Sequence, residues 1–103
     1  MIVEILTFSG CPNAASATER VREALKAEAL EADIREVEVD TPERARQMRF
    51  LGSPSVRVDG RDVEPGADQR LEFGLMCRTY RDGDAAEGAP GLALIRRALS
   101  RQS

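Results

Sequence analysis

The chain begins with an apolar strand pattern that ends at a cysteine and a proline. Residues 2–8 are apolar except for Glu4 and Thr7, which is typical of a buried parallel strand. Cys11 follows directly, and a helical pattern with one apolar stripe extends from about Pro12 to Leu30. A helix N-terminus stabilises an anion, and the thiolate is both the nucleophile and the ligand for soft metals. The pattern therefore predicts a reactive thiol at Cys11.

The rest of the chain predicts alternating strands and helices. Residues 34–40 alternate as an edge strand with one covered face, and Thr41-Pro42-Glu43 starts a short helix that ends near Phe50. Asp59-Gly60 predicts a hairpin between residues 55–59 and 61–64, and a last helix spans about residues 91–101. The order β-α-β-α-β-β-α predicts an α/β fold with a mixed four-stranded sheet. Because a β-α-β crossover makes its strands parallel, residues 2–8 are expected between residues 34–40 and 55–59, with 61–64 at the far edge.

Residues 65–90 are expected to form an extended loop before the last helix. This connection is longer than most loops, and such loops are usually functional. The stretch from Met76 to Arg81 inside it is a candidate for an additional short strand. Cys77 lies there, and it fits equally well as a buried gap-filler or as a second reactive thiol.

Composition restricts the classes of function. The 103 residues predict a single domain over 1–103, and 15 Lys and Arg against 18 Asp and Glu give a net charge of −3 without a basic run. We therefore expect neither a nucleic-acid nor a membrane partner. The start of the chain lacks the pattern of a signal peptide, and two distant cysteines suit a reducing compartment, so a cytoplasmic location is expected. Histidine is absent, which removes the commonest general base and the commonest metal ligand. The chemistry must therefore use thiols, carboxylates, hydroxyls, Arg or Lys, and no residue is assigned to a metal site.

Two motifs carry a resemblance to a known superfamily. The strand, Gly10-Cys11-Pro12-Asn13-Ala14, the long helix and Gly52-Ser53-Pro54-Ser55-Val56 together resemble the thioredoxin and glutaredoxin superfamily over roughly residues 1–64. With Phe73-Gly74-Leu75-Met76-Cys77-Arg78-Thr79-Tyr80, the whole chain is similar to a family of small proteins. These are variously labelled thioredoxin family, alkylmercury lyase or DF-family (seleno)protein. The resemblance implies a thioredoxin-like fold over 1–103.

The resemblance also implies roles for particular residues. Pro54 would follow a cis peptide bond and lie against Cys11, and the backbone before it would pair with a bound peptide or glutathione. The motif departs from a dithiol enzyme because Ala14 occupies the position of the second cysteine, which normally resolves the mixed disulfide. Either glutathione or Cys77 would then resolve it. The predicted catalytic residues are Cys11 and Cys77, and the predicted substrate-binding residues are Pro12, Asn13, Ser53, Pro54 and Arg78.

Three functions follow, in order of preference. The first is a thiol redox protein that exchanges disulfides or reduces a thiol adduct on a protein or small molecule, without an organic cofactor and with glutathione as a candidate co-substrate. The second is an organomercurial-binding or lyase-like protein using Cys11 and Cys77, since two thiolates bind soft metals tightly. The third is a thioredoxin-like binding module without turnover.

Overall fold

The computed structural model describes residues 1–82 and 85–102; residues 83, 84 and 103 lie outside the description. Its main elements alternate along the chain, as the sequence predicts. They are β1 (Ile2–Thr7), α1 (Ala14–Ala27), β2 (Asp33–Glu38), α2 (Pro42–Met48), β3 (Ser55–Val58), β4 (Arg61–Asp62), a 3-10 turn (Ala67–Gln69), β5 (Tyr80–Asp82), β6 (Ala85–Glu87) and α3 (Leu92–Gln102).

The first four strands form a mixed sheet in the order β2-β1-β3-β4. Strand β1 is parallel to β2 and antiparallel to β3, and β3 pairs with β4 through the Asp59-Gly60 turn. This arrangement confirms the predicted α/β class, the inner position of β1 and both edge strands. Strand β4 is shorter than the predicted 61–64 because the Asp62 carboxylate accepts a hydrogen bond from the Glu64 amide at 2.9 Å, which turns the chain away from the sheet.

Helices cover both faces of this sheet. One face packs against α1 and α3, with Val21, Leu25, Ile95 and Leu99 buried in one apolar cluster. On the other face Leu6 packs with Ala45 of α2 and with Phe50. Within the described ranges, no helix has both the length and the apolar character needed to cross a membrane.

Helix α1 is shorter at both ends than the sequence predicts. It begins at Ala14 and not at Pro12, because Cys11, Pro12 and Asn13 form a turn that the Ala14 amide closes on the Cys11 carbonyl oxygen at 3.4 Å. At the other end Ala29 has a φ of 54°, a left-handed conformation that ends the helix, and the Leu30 amide bonds back to Leu25. Ala29 is therefore exposed and not part of the buried stripe in which the helical periodicity placed it.

The predicted loop over 65–90 has more structure than expected. It contains the 3-10 turn, the β5–β6 hairpin and a single parallel bridge between Cys77 and Ser53. The candidate strand from Met76 to Arg81 is thus split into an isolated bridge and the start of β5.

Candidate thiol site

Cys11 lies in the turn between β1 and α1, next to the carboxyl end of the sheet's inner strand. Its amide donates to the Phe8 carbonyl oxygen at 3.3 Å, and its own carbonyl accepts from Ala14. The thiol is free and the residue is half-buried. Helix α1 starts three residues after Cys11, and the amide of its first residue, Ala14, bonds to the Cys11 carbonyl oxygen.

An open groove of about 660 Å³ adjoins Cys11, between the end of β1, the first turns of α1 and strand β2. Its charged lining residues are Glu19, Glu36 and Glu38 against Arg22. Glu36 and Glu38 are exposed on the edge strand, as the alternating pattern predicts. The groove therefore has an excess of negative charge, which opposes an anionic substrate and favours a cationic or neutral one.

Ser53 lies beside the turn that carries Cys11. The Ser53–Pro54 peptide bond is cis, as predicted, and both residues are buried. The Ser53 hydroxyl oxygen accepts a hydrogen bond from the Phe8 amide at 3.3 Å. Because Phe8 also bonds to Cys11, Ser53 is one residue removed from the cysteine in the hydrogen-bond network.

Phe8 bonds to the Ser53 hydroxyl, whereas the segment that carries Cys77 pairs with the Ser53 backbone. The Ser53 amide donates to the Met76 carbonyl at 2.8 Å, and the Arg78 amide donates to the Ser53 carbonyl at 3.0 Å. Cys77 is free and exposed. We call this meeting of the Phe8, Ser53 and Met76–Arg78 backbones the Ser53 junction.

Gly52 permits the close approach at the Ser53 junction. Its φ of 121° is unfavourable for other residues, and a Cβ there would lie 3.0 Å from both the Arg78 Cβ and the Met76 carbonyl oxygen. Residue 52 must therefore be glycine for residues 76–78 to lie against this loop.

Arg78 fixes the same segment through a buried charged cluster. Its guanidinium binds both Asp62 carboxylate oxygens at 2.7 and 2.9 Å, Glu64 at 3.2 Å and the Ser55 hydroxyl at 2.9 Å. The side chain is 1% exposed. Burial alone would lower the pKa of Arg78, but the hydrogen bonds that it donates to Asp62 and Glu64 raise its pKa above the usual value. We call Arg78, Ser55, Asp62 and Glu64 the Arg78 cluster.

The Arg78 cluster changes the interpretation of Arg78. The sequence suggested that this arginine contacts substrate, but its guanidinium is directed inward and occupied by the protein's own carboxylates. Its structural effect is to hold residues 76–78 against Ser53.

Pro12 is exposed beside Cys11, and Asn13 is half-buried against Gly88, where an added Cβ would overlap the Asn13 amide group.

Tyr80 attaches the same segment to Pro54. Its hydroxyl donates to the Pro54 carbonyl oxygen at 2.6 Å, and the Arg78 guanidinium lies 4.5 Å from the ring centre. Burial raises the pKa of the Tyr80 phenol above its usual value near 10, although the Arg78 charge opposes the shift. Tyr80 is the only tyrosine and tryptophan is absent, so phenolate absorbance reports this group alone.

The raised pKa of Tyr80 predicts a loss of stability at alkaline pH. Above about pH 10 the unfolded chain releases the phenol proton while the folded protein retains it, so the free energy of unfolding falls as pH rises, by at most about 1.4 kcal/mol per pH unit. Tyr80→Phe should lower stability at pH 7 by about 1–2 kcal/mol through the lost hydrogen bond, and it should remove this alkaline contribution. Urea unfolding at pH 7–11 measures both effects. An unchanged alkaline slope in Tyr80→Phe would contradict the assignment.

In the part of the chain that the structure describes, no three His, Cys, Asp or Glu side chains lie close enough together to hold a metal ion. Comparisons with known proteins do not identify a relative. No family model, no curated protein and no solved structure matches this chain.

Proposed function

We propose that this protein is a thioredoxin-like thiol–disulfide exchange protein in which Cys11 attacks and Cys77 resolves. One observation carries the proposal: the segments bearing the chain's only two cysteines both hydrogen-bond to Ser53. Phe8 reaches its hydroxyl, and Met76 and Arg78 reach its backbone. The two cysteines lie 66 positions apart in the sequence, at 11 and 77, and the segments that carry them both reach Ser53.

The reaction balances without a cofactor. The Cys11 thiolate attacks one sulfur of a disulfide R–S–S–R, the S–S bond breaks, and one R–S⁻ leaves and takes up the proton that Cys11 released. The Cys77 thiolate then attacks the Cys11 sulfur of the mixed disulfide and displaces the second R–S⁻, which is protonated in turn. The protein's two thiols become one disulfide, and R–S–S–R is reduced to two thiols. An external thiol reverses the sequence and restores the protein.

The fold supports this proposal at the level of architecture. Cys11 follows the inner strand β1 and precedes helix α1, and the mixed sheet has the order β2-β1-β3-β4. Both features agree with the expected thioredoxin-like arrangement. The missing second cysteine at Ala14 separates this chain from a Cys-x-x-Cys enzyme. Cys77 is exposed rather than packed in the core, which favours a reactive role over that of a buried gap-filler.

Charge and backbone pairing narrow the substrate of the proposed reaction. The three carboxylates of the groove beside Cys11 disfavour glutathione, which is an anion. The amide and carbonyl of Ser53 already bond to Met76 and Arg78, so neither group is free to pair with a bound peptide. A small cationic disulfide fits the negative groove and does not need to pair with the Ser53 backbone.

The organomercurial alternative uses the same two sulfurs and stays a prediction. Cleavage of a carbon–mercury bond needs a proton at the departing carbon, and Glu36 and Glu38 line the groove of Cys11. Methane release from methylmercury by the reduced protein, lost in Cys11→Ser, would support this alternative.

The test follows the first exchange step with cystamine, a small cationic disulfide. The reduced protein is mixed with cystamine, quenched with acid and analysed by intact mass. Cys11→Ser should slow the appearance of oxidised or mixed-disulfide protein, because the cysteine that attacks first is then absent. Cys77→Ser is the matched control and should keep the rate of the first step. Equal rates for Cys11→Ser and the wild type would refute the proposal.

A further inference from the structure

A second cavity, of about 570 Å³, shares no lining residue with the groove of Cys11. It lies between the end of α2, the β3–β4 turn and residues 64–68. Four arginines from separate parts of the chain line it: Arg49, Arg57, Arg61 and Arg101. Its volume falls in the range of small-molecule sites, about 300–1,000 Å³.

Uncharged groups hold three of these arginines in place. Arg57 donates from Nη2 to the carbonyl oxygens of Met48 at 2.6 Å and Arg49 at 3.2 Å, where α2 ends. Arg49 and Arg101 donate to backbone carbonyls at 3.5 and 3.3 Å. A carbonyl orients a guanidinium without cancelling its charge. Within the described residues none of the four forms an ion pair with a carboxylate.

The carboxylates around the cavity are mostly occupied elsewhere. Asp62 and Glu64 line it, but both bind the buried Arg78, and Glu64 also binds Arg70. Asp68 is the third carboxylate in the described lining, and it forms no ion pair. The same lining contains four arginines. A protein with a net charge of −3 thus has a local excess of positive charge here.

Burial opposes the charge of Arg57. The residue is only partly exposed, and burial lowers the pKa of its guanidinium even though Asp62 and Glu4 attract it from a distance. A bound anion would stabilise this partly buried charge further. The cavity also has an apolar wall, formed by buried Leu51 and by Phe73, over which the Arg49 guanidinium lies at 4.9 Å from the ring centre.

We propose that this cavity binds a small organic molecule that carries a phosphate group. Arginine forks match the oxygens of a phosphate and make charge-assisted hydrogen bonds to it, and the apolar wall accepts the organic part. The proposal does not depend on the reaction at Cys11, because the two cavities have separate linings.

The test measures binding to the full chain with three probes: ribose 5-phosphate, inorganic phosphate and ribose. Isothermal calorimetry at low salt should give saturable one-to-one binding of ribose 5-phosphate, weaker binding of inorganic phosphate and none of ribose. Arg61→Gln should weaken the binding of ribose 5-phosphate about tenfold, because one charge-assisted contact is lost. Arg61 is exposed and its side chain makes no hydrogen bond or ion pair among the described residues, so this variant should fold normally.

Arg97→Gln is the matched control, since Arg97 is an exposed arginine on α3 that does not line the cavity. It should bind ribose 5-phosphate as the wild type does. Arg49→Gln gives a second cavity variant, with an expected loss similar to that of Arg61→Gln. The proposal is overturned if ribose 5-phosphate does not saturate the protein, if inorganic phosphate binds as tightly, or if both cavity variants retain wild-type affinity.

Discussion

Cys77→Ser is expected to leave the protein trapped as a mixed disulfide after reaction with cystamine. In the wild type, Cys77 competes with external thiols for the Cys11 sulfur from within the same molecule. Tethering gives such a group an effective concentration of about millimolar or more, so the mixed disulfide should resolve before external thiol reaches it. Without Cys77, almost all of the oxidised protein should carry one cysteamine adduct, visible as a mass increase in the intact protein.

The comparison is made at equal protein and cystamine concentrations, with the wild type analysed in parallel. The wild type should gain no adduct at the end of the reaction and should lose the mass of two hydrogens. A stable cysteamine adduct on wild-type protein would mean that Cys77 does not resolve, and the second step of the proposed reaction would then need an external thiol.

Arg78→Gln is expected to produce the largest loss of stability among substitutions at this site. The change leaves Asp62 and Glu64 facing an amide in a largely buried position, and breaking a buried ion pair in this way costs about 3–5 kcal/mol. Urea unfolding at pH 7 measures the loss. Arg81→Gln is the matched control, because Arg81 is an exposed arginine three residues away and its loss should cost less than about 0.5 kcal/mol.

The same cluster is expected to affect chemistry as well as stability, since it holds residues 76–78 against Ser53. Arg78→Lys keeps the charge but loses the two-pronged contact with Asp62, so it should retain more stability than Arg78→Gln. In folded Arg78→Lys protein, the attack of Cys77 on the mixed disulfide should be slower than in the wild type, while the first step at Cys11 keeps its rate. Unchanged resolution in a folded Arg78→Lys protein would show that the cluster has no part in positioning Cys77.

The sheet and its inner strand could be predicted because their evidence is local. A mostly apolar run, an alternating strand and the Asp59-Gly60 turn each indicate one element, and the crossover rule orders them. The exposure of Glu36 and Glu38 follows from the same alternation.

The Arg78 cluster could not be predicted, because it depends on contacts between residues far apart in sequence. Arg78 meets Asp62 across 16 residues and Ser55 across 23, and no local pattern distinguishes these residues from solvated polar ones. The late start of α1 was missed for a related reason. Proline at a first helical position is common, so Pro12 suggested the boundary, but the turn at Cys11 delays it to Ala14.

Peptide mapping of the oxidised protein tests the central claim, that Cys11 and Cys77 form one exchange pair, most directly. Trypsin should release Cys11 in residues 1–20 and Cys77 in residues 71–78, because Arg20, Arg70 and Arg78 bound these peptides. After wild-type protein is oxidised with one equivalent of cystamine and the free thiols are blocked, the account predicts that these two peptides are joined by a disulfide in monomeric protein. The claim would be contradicted if peptides 1–20 and 71–78 were recovered separately, each blocked or carrying cysteamine. It would also be contradicted if two copies of peptide 1–20 were joined in a dimer.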